Sequence, residues 1–196
     1  MTATSPDDRR SQAFNVPNQI TAVRLLLAVA VFVLIALKLY LAALVCFLIA
    51  AGTDWLDGYW ARKYNQITQI GRVFDPFVDK IMICGAFIFL AAVDDSGIKA
   101  WMAVVVVARE MLVTALRSFI EQGGGDFSAK MSGKLKMVLQ CAAVAASLIC
   151  LIVLKNGDVL HPALSRTLTI TVWASIALTV YSGVEYIVVA ARMLRA

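Results

Sequence analysis

Four aspartates lie within 26 residues of this chain, where Asp54 to Asp79 reads DWLDGYWARKYNQITQIGRVFDPFVD. Asp54 and Asp57 are three residues apart, and Asp75 and Asp79 are four apart, so each pair occupies one face of its own helix. Carboxylate oxygens are ligands of Mg²⁺-like cations, and two such helix faces can enclose one divalent cation or two. The spacing therefore predicts a metal site that could neutralise and orient a diphosphate.

Clustered aspartates usually mark a solvated loop, because aspartate is mostly exposed in soluble proteins. The composition argues against that interpretation, since 61% of the 196 residues are hydrophobic and only 16% are charged. Apolar sequence also flanks the aspartates on both sides. Charged groups are costly inside a membrane, so acidic residues in such surroundings indicate a functional site.

Three further residues of this stretch suit a phosphate ligand, although each has an ordinary alternative. Gly58 and Gly71 remove side chains where a backbone must approach a ligand closely, but such glycines also permit tight helix packing. Arg62 offers a planar fork for phosphate oxygens, but an arginine at a membrane edge is equally ordinary. These residues agree with the metal-site hypothesis without establishing it.

The apolar segments predict an all-α, polytopic membrane protein. Several approach the roughly 20 apolar residues that a spanning helix needs, and they lack the alternation of a membrane β-barrel. Six transmembrane helices are expected, over 17–38, 39–61, 73–94, 98–120, 132–154 and 167–190. The six-helix domain is expected over 17–196. Residues 1–16 are a polar segment without the order of a cleaved signal peptide, and an interfacial helix is one alternative for them.

Lysine and arginine are distributed unevenly over the loops that these spans define. Ten lie at the termini and on the loops of one side, namely Arg9, Arg10, Arg62, Lys63, Arg72, Lys130, Lys134, Lys136, Arg192 and Arg195. The other side has four, namely Lys38, Lys99, Lys155 and Arg166. Cytoplasmic loops carry the excess of positive charge, so both termini are expected in the cytoplasm. The net charge of +5 requires no nucleic-acid partner.

The same topology brings the aspartates and further charged residues to one depth, near the cytoplasmic boundary. The fourth and fifth spans carry Arg109, Glu110, Arg117, Lys134 and Lys136 at this level. Arg109 lies within its span and needs a partner. Glu110 is adjacent, but neighbours in a helix point in different directions. Lys134 and Lys136 could equally be ordinary positive-inside residues.

Other metal or nucleophile chemistries are not indicated. His161 is the only histidine and lies on the side away from the aspartates, which argues against catalytic triads and histidine-ligated metals. Cys46, Cys84, Cys141 and Cys150 lie in apolar spans without a CxxC pair. We interpret these cysteines as small buried apolar residues.

The stretch from Asp54 to Asp79 resembles the signature of the CDP-alcohol phosphotransferases, integral membrane enzymes of phospholipid synthesis. It follows the pattern D-x2-D-G-x2-A-R-x8-G-x3-D-x3-D in full. Three further segments resemble the phosphatidylglycerophosphate synthase branch: NVPNQITAVR over 15–24, ARE followed by Arg117, and GKLK followed by Gln140. Met137 departs from this branch, which usually has threonine there.

The resemblance implies a reaction and a role for each residue. CDP-diacylglycerol and sn-glycerol 3-phosphate would give phosphatidylglycerophosphate and CMP, in a bacterial-type inner membrane with the active site facing the cytoplasm. Two divalent cations, Mg²⁺ or Mn²⁺, would be held by Asp54, Asp57, Asp75 and Asp79, and Asp79 would also be the catalytic general base. The CDP-lipid would contact Asn18, Thr21, Gly58, Arg62 and Gly71, and the acceptor phosphate would contact Arg109, Arg117, Lys134 and Lys136. A homodimer surrounded by membrane lipids is also implied.

Two alternatives are open from the residues. One is the same chemistry with another acceptor, either inositol phosphate or, as in a cardiolipin synthase of this family, phosphatidylglycerol. The other is a divalent-cation transporter, whose acidic ligands also lie within the membrane. A transporter needs a polar path to both faces, whereas the outer halves of these spans are apolar, as over 90–93 and 103–107.

The charge distribution generates a prediction about topology. Reporter fusions after Ala196 and within 155–166 should give a cytoplasmic and a non-cytoplasmic signal, respectively, because ten basic residues on one side oppose four on the other. A cytoplasmic signal from the 155–166 fusion would contradict both the topology and the cytoplasmic active site.

Overall fold

The structure, a computed structural model, describes residues 16–64, 69–122 and 131–193. Within these ranges it describes the side chains of 22–53, 77–120, 131 and 133–193. These residues form six α-helices, which confirms the all-α prediction: α1 (Val16–Ala36), α2 (Tyr40–Tyr64), α3 (Gln69–Ala91), α4 (Ala100–Gln122), α5 (Met131–Lys155) and α6 (Pro162–Met193). The polar segment predicted over 1–16 lies outside the described residues except for Val16.

Each predicted span corresponds to one helix, with ends that differ by a few residues. The largest difference is at α6, which begins at Pro162 rather than at 167. Proline suits the first position of a helix, where no N–H donor is needed. His161 precedes it, and its Nδ1 accepts a hydrogen bond from the Ala163 N–H at 3.3 Å. The histidine therefore caps α6.

The boundary between α1 and α2 is a tight turn around Lys38, whose φ is 59°. The N–H of Lys38 donates to the carbonyl of Ile35 at 2.9 Å, and the N–H of Leu39 donates to the carbonyl of Leu34 at 2.8 Å. This is a Schellman motif, which usually places glycine at the left-handed position. With lysine there instead, the boundary has no glycine signal, so the sequence marks it only weakly.

The connection between α3 and α4 is tied to the helices around it. The Ser147 hydroxyl of α5 donates to the carbonyl of Ser96 at 2.7 Å, and Ser96 is buried. Gly97 has a φ of 74°, and a Cβ at this position would lie 2.8 Å from Cδ2 of Leu168 in α6. Glycine suits this position because it adopts a positive φ without strain and leaves the Leu168 side chain in place.

The chain divides into two compact units, Met1–Gly85 and Ala86–Ala196. In the first unit, α1 packs against α2. Buried apolar residues of these two helices recur every three or four positions, and all but Phe47 of the following are small or β-branched: Ala28, Val31, Ile35, Ala43, Phe47 and Ala50. Small residues at these positions allow the two backbones to approach closely.

In the second unit, α4 and α5 each pack against α6. The buried residues of α6 include small and hydroxyl-bearing ones at helical spacing, namely Ser175, Thr179, Ser182 and Gly183. Hydroxyl groups of this stripe receive hydrogen bonds from both neighbouring helices, from Arg109 on α4 and from Gln140 on α5. The stripe therefore provides polar partners inside an apolar helix bundle.

The described surface is consistent with a membrane protein. Within the described residues, two helical stretches are long and apolar enough to cross a membrane, Gly133–Lys155 and Pro162–Met193. Large apolar side chains are exposed on other helices as well, including Leu26 at 70% and Met111 at 69%. An exposed apolar surface of this extent suits lipid rather than water.

Candidate active site

The two aspartate pairs lie on two successive helices. Asp54 and Asp57 belong to α2, and Asp75 and Asp79 belong to α3. Because the backbone is helical at all four positions, the separations of three and four residues put each pair on one face of its helix, as predicted. The side chains of Asp54, Asp57 and Asp75 lie outside the described residues.

The residues predicted to contact the CDP-lipid also lie on helical backbone. Asn18 and Thr21 belong to α1, Gly58 and Arg62 belong to α2, and Gly71 belongs to α3. Their side chains, where they have one, are outside the described set, so their roles stay predictions.

Asp79 is the one motif aspartate whose side chain the structure describes, and it forms an ion pair with Arg24 of α1. The Nη1 group of Arg24 donates to Oδ1 of Asp79 at 3.0 Å. The arginine side chain is 1% exposed and the aspartate side chain 20%. A buried guanidinium needs an anionic partner, so this contact positions the Asp79 carboxylate.

The sequence interpretation missed Arg24 as a site residue. In the sequence this arginine is the last residue of the 15–24 segment that resembles the synthase branch. The signal was present, because a charged residue within the apolar sequence of the first span requires a partner. What the sequence could not supply was the identity of that partner, which lies 55 residues away.

The donor chemistry of the motif fits a hard divalent cation, because all four candidate ligands are carboxylates. Among the side chains that the structure describes, no three histidine, cysteine or acidic residues form a metal-binding group. Three of the four motif aspartates are not in that set. The carboxylate of Asp79 is partly exposed, which suits a group that meets a ligand.

A second charged cluster, which we call the Glu110 cluster, consists of Arg109, Glu110 and Lys136. The Nη1 group of Arg109 lies 3.2 Å from Oε1 and 3.4 Å from Oε2 of Glu110. The ammonium of Lys136 on α5 donates to the same Oε1. The three side chains are at most 9% exposed. This cluster links α4 to α5 through a buried carboxylate.

Arg109 contacts the adjacent Glu110, a pairing that the sequence had left open because neighbours in a helix point in different directions. The two Cβ atoms leave the helix in different directions, as neighbours do. The arginine side chain is long enough for its guanidinium to return to the carboxylate of the next residue. Burial favours this arrangement, because a guanidinium in an apolar environment needs an anion nearby.

The other contacts of Arg109 come from α6. Its Nε donates to the Ser182 hydroxyl at 3.2 Å, and its Cζ lies 5.5 Å from the centroid of the Tyr186 ring. A Cβ on Gly183 would lie 3.2 Å from Cγ of Arg109, so the glycine leaves room for the arginine stem. One turn along α5 from Lys136, Gln140 donates to the Thr179 hydroxyl at 3.0 Å.

The remaining two basic residues of the predicted acceptor set differ in their surroundings. Arg117 lies two turns from Arg109 on α4 and is partly buried; its Nε is buried and has no hydrogen-bond partner among the described residues. Lys134 is exposed, whereas Lys136, two residues later, is buried. The structure therefore brings Arg109 and Lys136 together through Glu110, and it leaves Lys134 outside this cluster.

Comparison with known proteins identifies one family over nearly the whole chain. A family model described as CDP-alcohol phosphatidyltransferase matches residues 14–191, a range that contains the four aspartates and the Glu110 cluster.

Among curated relatives, a CDP-diacylglycerol–glycerol-3-phosphate 3-phosphatidyltransferase of Bacillus subtilis (strain 168) is 36% identical over 189 residues, which cover 88% of this chain and 93% of that protein. Proteins of the same name from Escherichia coli (strain K12) and Shigella flexneri serotype 5b (strain 8401) are each 35% identical over 137 residues, which cover 67% of this chain and 75% of theirs.

The Arg24–Asp79 contact generates a prediction about stability. Arg24→Ala should lower the free energy of unfolding by about 3 kcal/mol, near the lower end for breaking a buried pair, because the partly exposed Asp79 can be solvated in part. Arg24→Lys should cost less, since it retains the charge but not the planar fork. Thermal unfolding in detergent would measure both, with the exposed Arg166→Ala as a control. An Arg24→Ala protein as stable as the unsubstituted protein would show that the pair has no structural role.

Proposed function

The chain belongs to the CDP-alcohol phosphatidyltransferase family, and we propose that it transfers the phosphatidyl group of CDP-diacylglycerol to sn-glycerol 3-phosphate, giving phosphatidylglycerophosphate and CMP. The observation that carries this proposal is the 36% identity, over 88% of the chain, to a relative whose name states this reaction. Because the chain belongs to an enzyme family, the alternative that it is a divalent-cation transporter has no support.

The acceptor-binding role of the basic residues agrees with the buried Glu110 cluster. A phosphomonoester carries nearly two negative charges at neutral pH. The Glu110 cluster has two cations and one carboxylate, so it has an excess of one positive charge in buried surroundings. Arg117 adds a buried Nε without a partner among the described residues. We propose that Arg109, Arg117, Lys134 and Lys136 bind the acceptor phosphate through such charge-assisted hydrogen bonds.

The four aspartates are proposed to hold two divalent cations, Mg²⁺ or Mn²⁺. When bound, such cations neutralise and polarise the diphosphate of the donor. Asn18, Thr21, Gly58, Arg62 and Gly71 are proposed to contact the CDP-lipid. Glycines suit such contacts where backbone must approach a ligand closely.

Asp79 is proposed to act as the general base. The hydroxyl oxygen of the acceptor attacks the phosphorus of the phosphatidyl group, the bond from this phosphorus to the CMP oxygen breaks, and the hydroxyl proton passes to the Asp79 carboxylate. A carboxylate is a weak base, so it accepts the proton as the new P–O bond forms. The hydrogen bond from Arg24 to Oδ1 would keep the carboxylate oriented during this transfer.

The proposed setting is a bacterial-type inner membrane, crossed six times, with the active site on the cytoplasmic side. The six helices have 21 to 32 residues, so the shortest is about 31 Å long, enough to cross a hydrocarbon core of about 30 Å. The excess of positive charge on one side supports the orientation. A homodimer surrounded by membrane lipids is proposed from the family resemblance.

Release of CMP by the purified protein tests the function. With CDP-diacylglycerol and sn-glycerol 3-phosphate we expect turnover and a product that carries a phosphomonoester. Inositol phosphate and phosphatidylglycerol serve as the competing acceptors. Faster release with either of them would move the chain to another acceptor class, and no release with any acceptor would contradict the proposed activity.

The carboxylate pairs generate a prediction about metal dependence. Excess chelator should abolish CMP release, because four carboxylates would otherwise repel one another and the diphosphate, and added Mg²⁺ or Mn²⁺ should restore it. Asp57→Asn should abolish turnover as well, whereas Asp95→Asn, on an exposed loop residue, should leave it unchanged. Undiminished turnover in chelator would exclude the metal site.

The basic residues generate a prediction about acceptor binding. Arg117→Ala should raise the KM for glycerol 3-phosphate by about 30- to 150-fold, the effect of losing one charged hydrogen-bond partner of a buried phosphate. Lys134→Ala should have a smaller effect in the same direction, because water screens its exposed charge. Steady-state kinetics would measure both, with Lys155→Ala at the opposite end of α5 as the matched control. An unchanged acceptor KM in Arg117→Ala would remove this residue from the acceptor site.

A further inference from the structure

We propose that Glu110 is a positioning residue of the acceptor site, which holds Lys136 and Arg109 in place for the acceptor phosphate. This inference rests on the proposed function. Glu110 itself carries a negative charge and does not bind the phosphate. Its role would be to fix two cations that do.

The contacts of Glu110 support this role. Its carboxylate accepts hydrogen bonds from Lys136 on α5 and from Arg109 on its own helix, and its side chain is 9% exposed. Lysine has four rotatable carbon–carbon bonds and arginine is similarly flexible, so neither cation has a fixed position without a partner. A buried carboxylate that bonds to both removes this freedom before the acceptor arrives, which lowers the entropic cost of binding.

Arg109 retains donors for a ligand after these contacts are made. A guanidinium has five N–H donors. Its Nη1 donates to Glu110 and its Nε donates to the Ser182 hydroxyl, at 3.2 Å each. In the part of the chain that the structure describes, Nη2 donates to no protein atom. Its two N–H groups can therefore reach a phosphate oxygen while the other side of the guanidinium stays anchored.

The charge of the Glu110 cluster matches an anionic acceptor. Within the Glu110 cluster itself, two cations share one carboxylate, and the three side chains are at most 9% exposed. In such buried surroundings the attraction between cations and a bound anion is stronger than it would be in water. The carboxylate thus stabilises the empty site while it leaves an electrostatic preference for a phosphorylated acceptor over a neutral one.

If Glu110 repelled the acceptor phosphate instead of positioning the cations, its substitution would change the KM for glycerol 3-phosphate in the opposite direction. If Arg109 and Lys136 were placed by their other contacts, Glu110 would only repel the acceptor phosphate. Glu110→Gln would then lower the KM for glycerol 3-phosphate. If Glu110 positions the two cations, the same substitution raises that KM. The direction of the change therefore separates the two roles.

The experiment is steady-state kinetics on the full-length protein in detergent, with both substrates varied. The unsubstituted protein must first release CMP with glycerol 3-phosphate; if it does not, the proposed function fails and not this inference. Glu110→Gln should raise the acceptor KM by about tenfold or more, the effect of losing one charge-assisted hydrogen bond. The KM for CDP-diacylglycerol should stay within about twofold, as should both constants in the exposed control Asp158→Asn.

A conservative variant and a double substitution complete the test. Glu110→Asp should give an acceptor KM between those of the unsubstituted protein and Glu110→Gln, and it replaces Glu110→Gln if that variant does not fold. The effect of Glu110→Gln should also be smaller when Lys136→Gln is already present, because the two residues act through one contact. An acceptor KM that is unchanged or lower in the folded variant would overturn the proposal, as would an equal rise in both KM values.

Discussion

A charged side chain among apolar helices must have a partner. This constraint accounts for the contacts at both charged sites, the Arg24–Asp79 pair and the Glu110 cluster. Removing a charge from water costs several kcal/mol unless an opposite charge and hydrogen bonds compensate. Arg24 meets the constraint through Asp79, and Lys136 and Arg109 meet it through Glu110. In each case the pairing also fixes the position of a group that the proposed chemistry needs.

The two sites use this constraint differently. At Asp79, a buried arginine holds a carboxylate that is itself 20% exposed, so the acidic group is the one available to the proposed ligand. In the Glu110 cluster, a buried carboxylate holds two cations, and the basic groups are the proposed contacts of the acceptor. The first arrangement suits a base that also contacts cations, and the second suits recognition of a phosphate.

The second site depends on the small and hydroxyl-bearing residues of α6. Ser182 accepts the hydrogen bond from Arg109, Thr179 accepts the one from Gln140, and Gly183 leaves space for the arginine stem. In a water-soluble core these positions would more often carry larger apolar residues. In an apolar bundle they serve two purposes, because they allow close helix packing and provide hydrogen-bond acceptors for buried polar groups.

Local patterns explain which features could be predicted from the sequence alone. The six helices follow from apolar runs of membrane-spanning length, and the aspartate pairs follow from separations of three and four residues within one helix. Both depend only on neighbours along the chain. The same is true of the family signature from Asp54 to Asp79, which identified the family that the comparison over 14–191 supports. The ends of helices were less certain, because Lys38 occupies a left-handed position that glycine usually marks.

The partners of the buried charges were decided only by the tertiary structure. Arg24 and Asp79 are 55 residues apart, Glu110 and Lys136 are 26 apart, and Arg109 and Ser182 are 73 apart. A charge in an apolar span shows that a partner must exist, but many residues at similar depth could supply it. Which of them does so depends on which helices pack together and on how each is rotated about its axis. Even the pairing of Arg109 with the adjacent Glu110 was left open by the sequence, because the direction of a Cβ does not determine where the end of a long buried side chain lies.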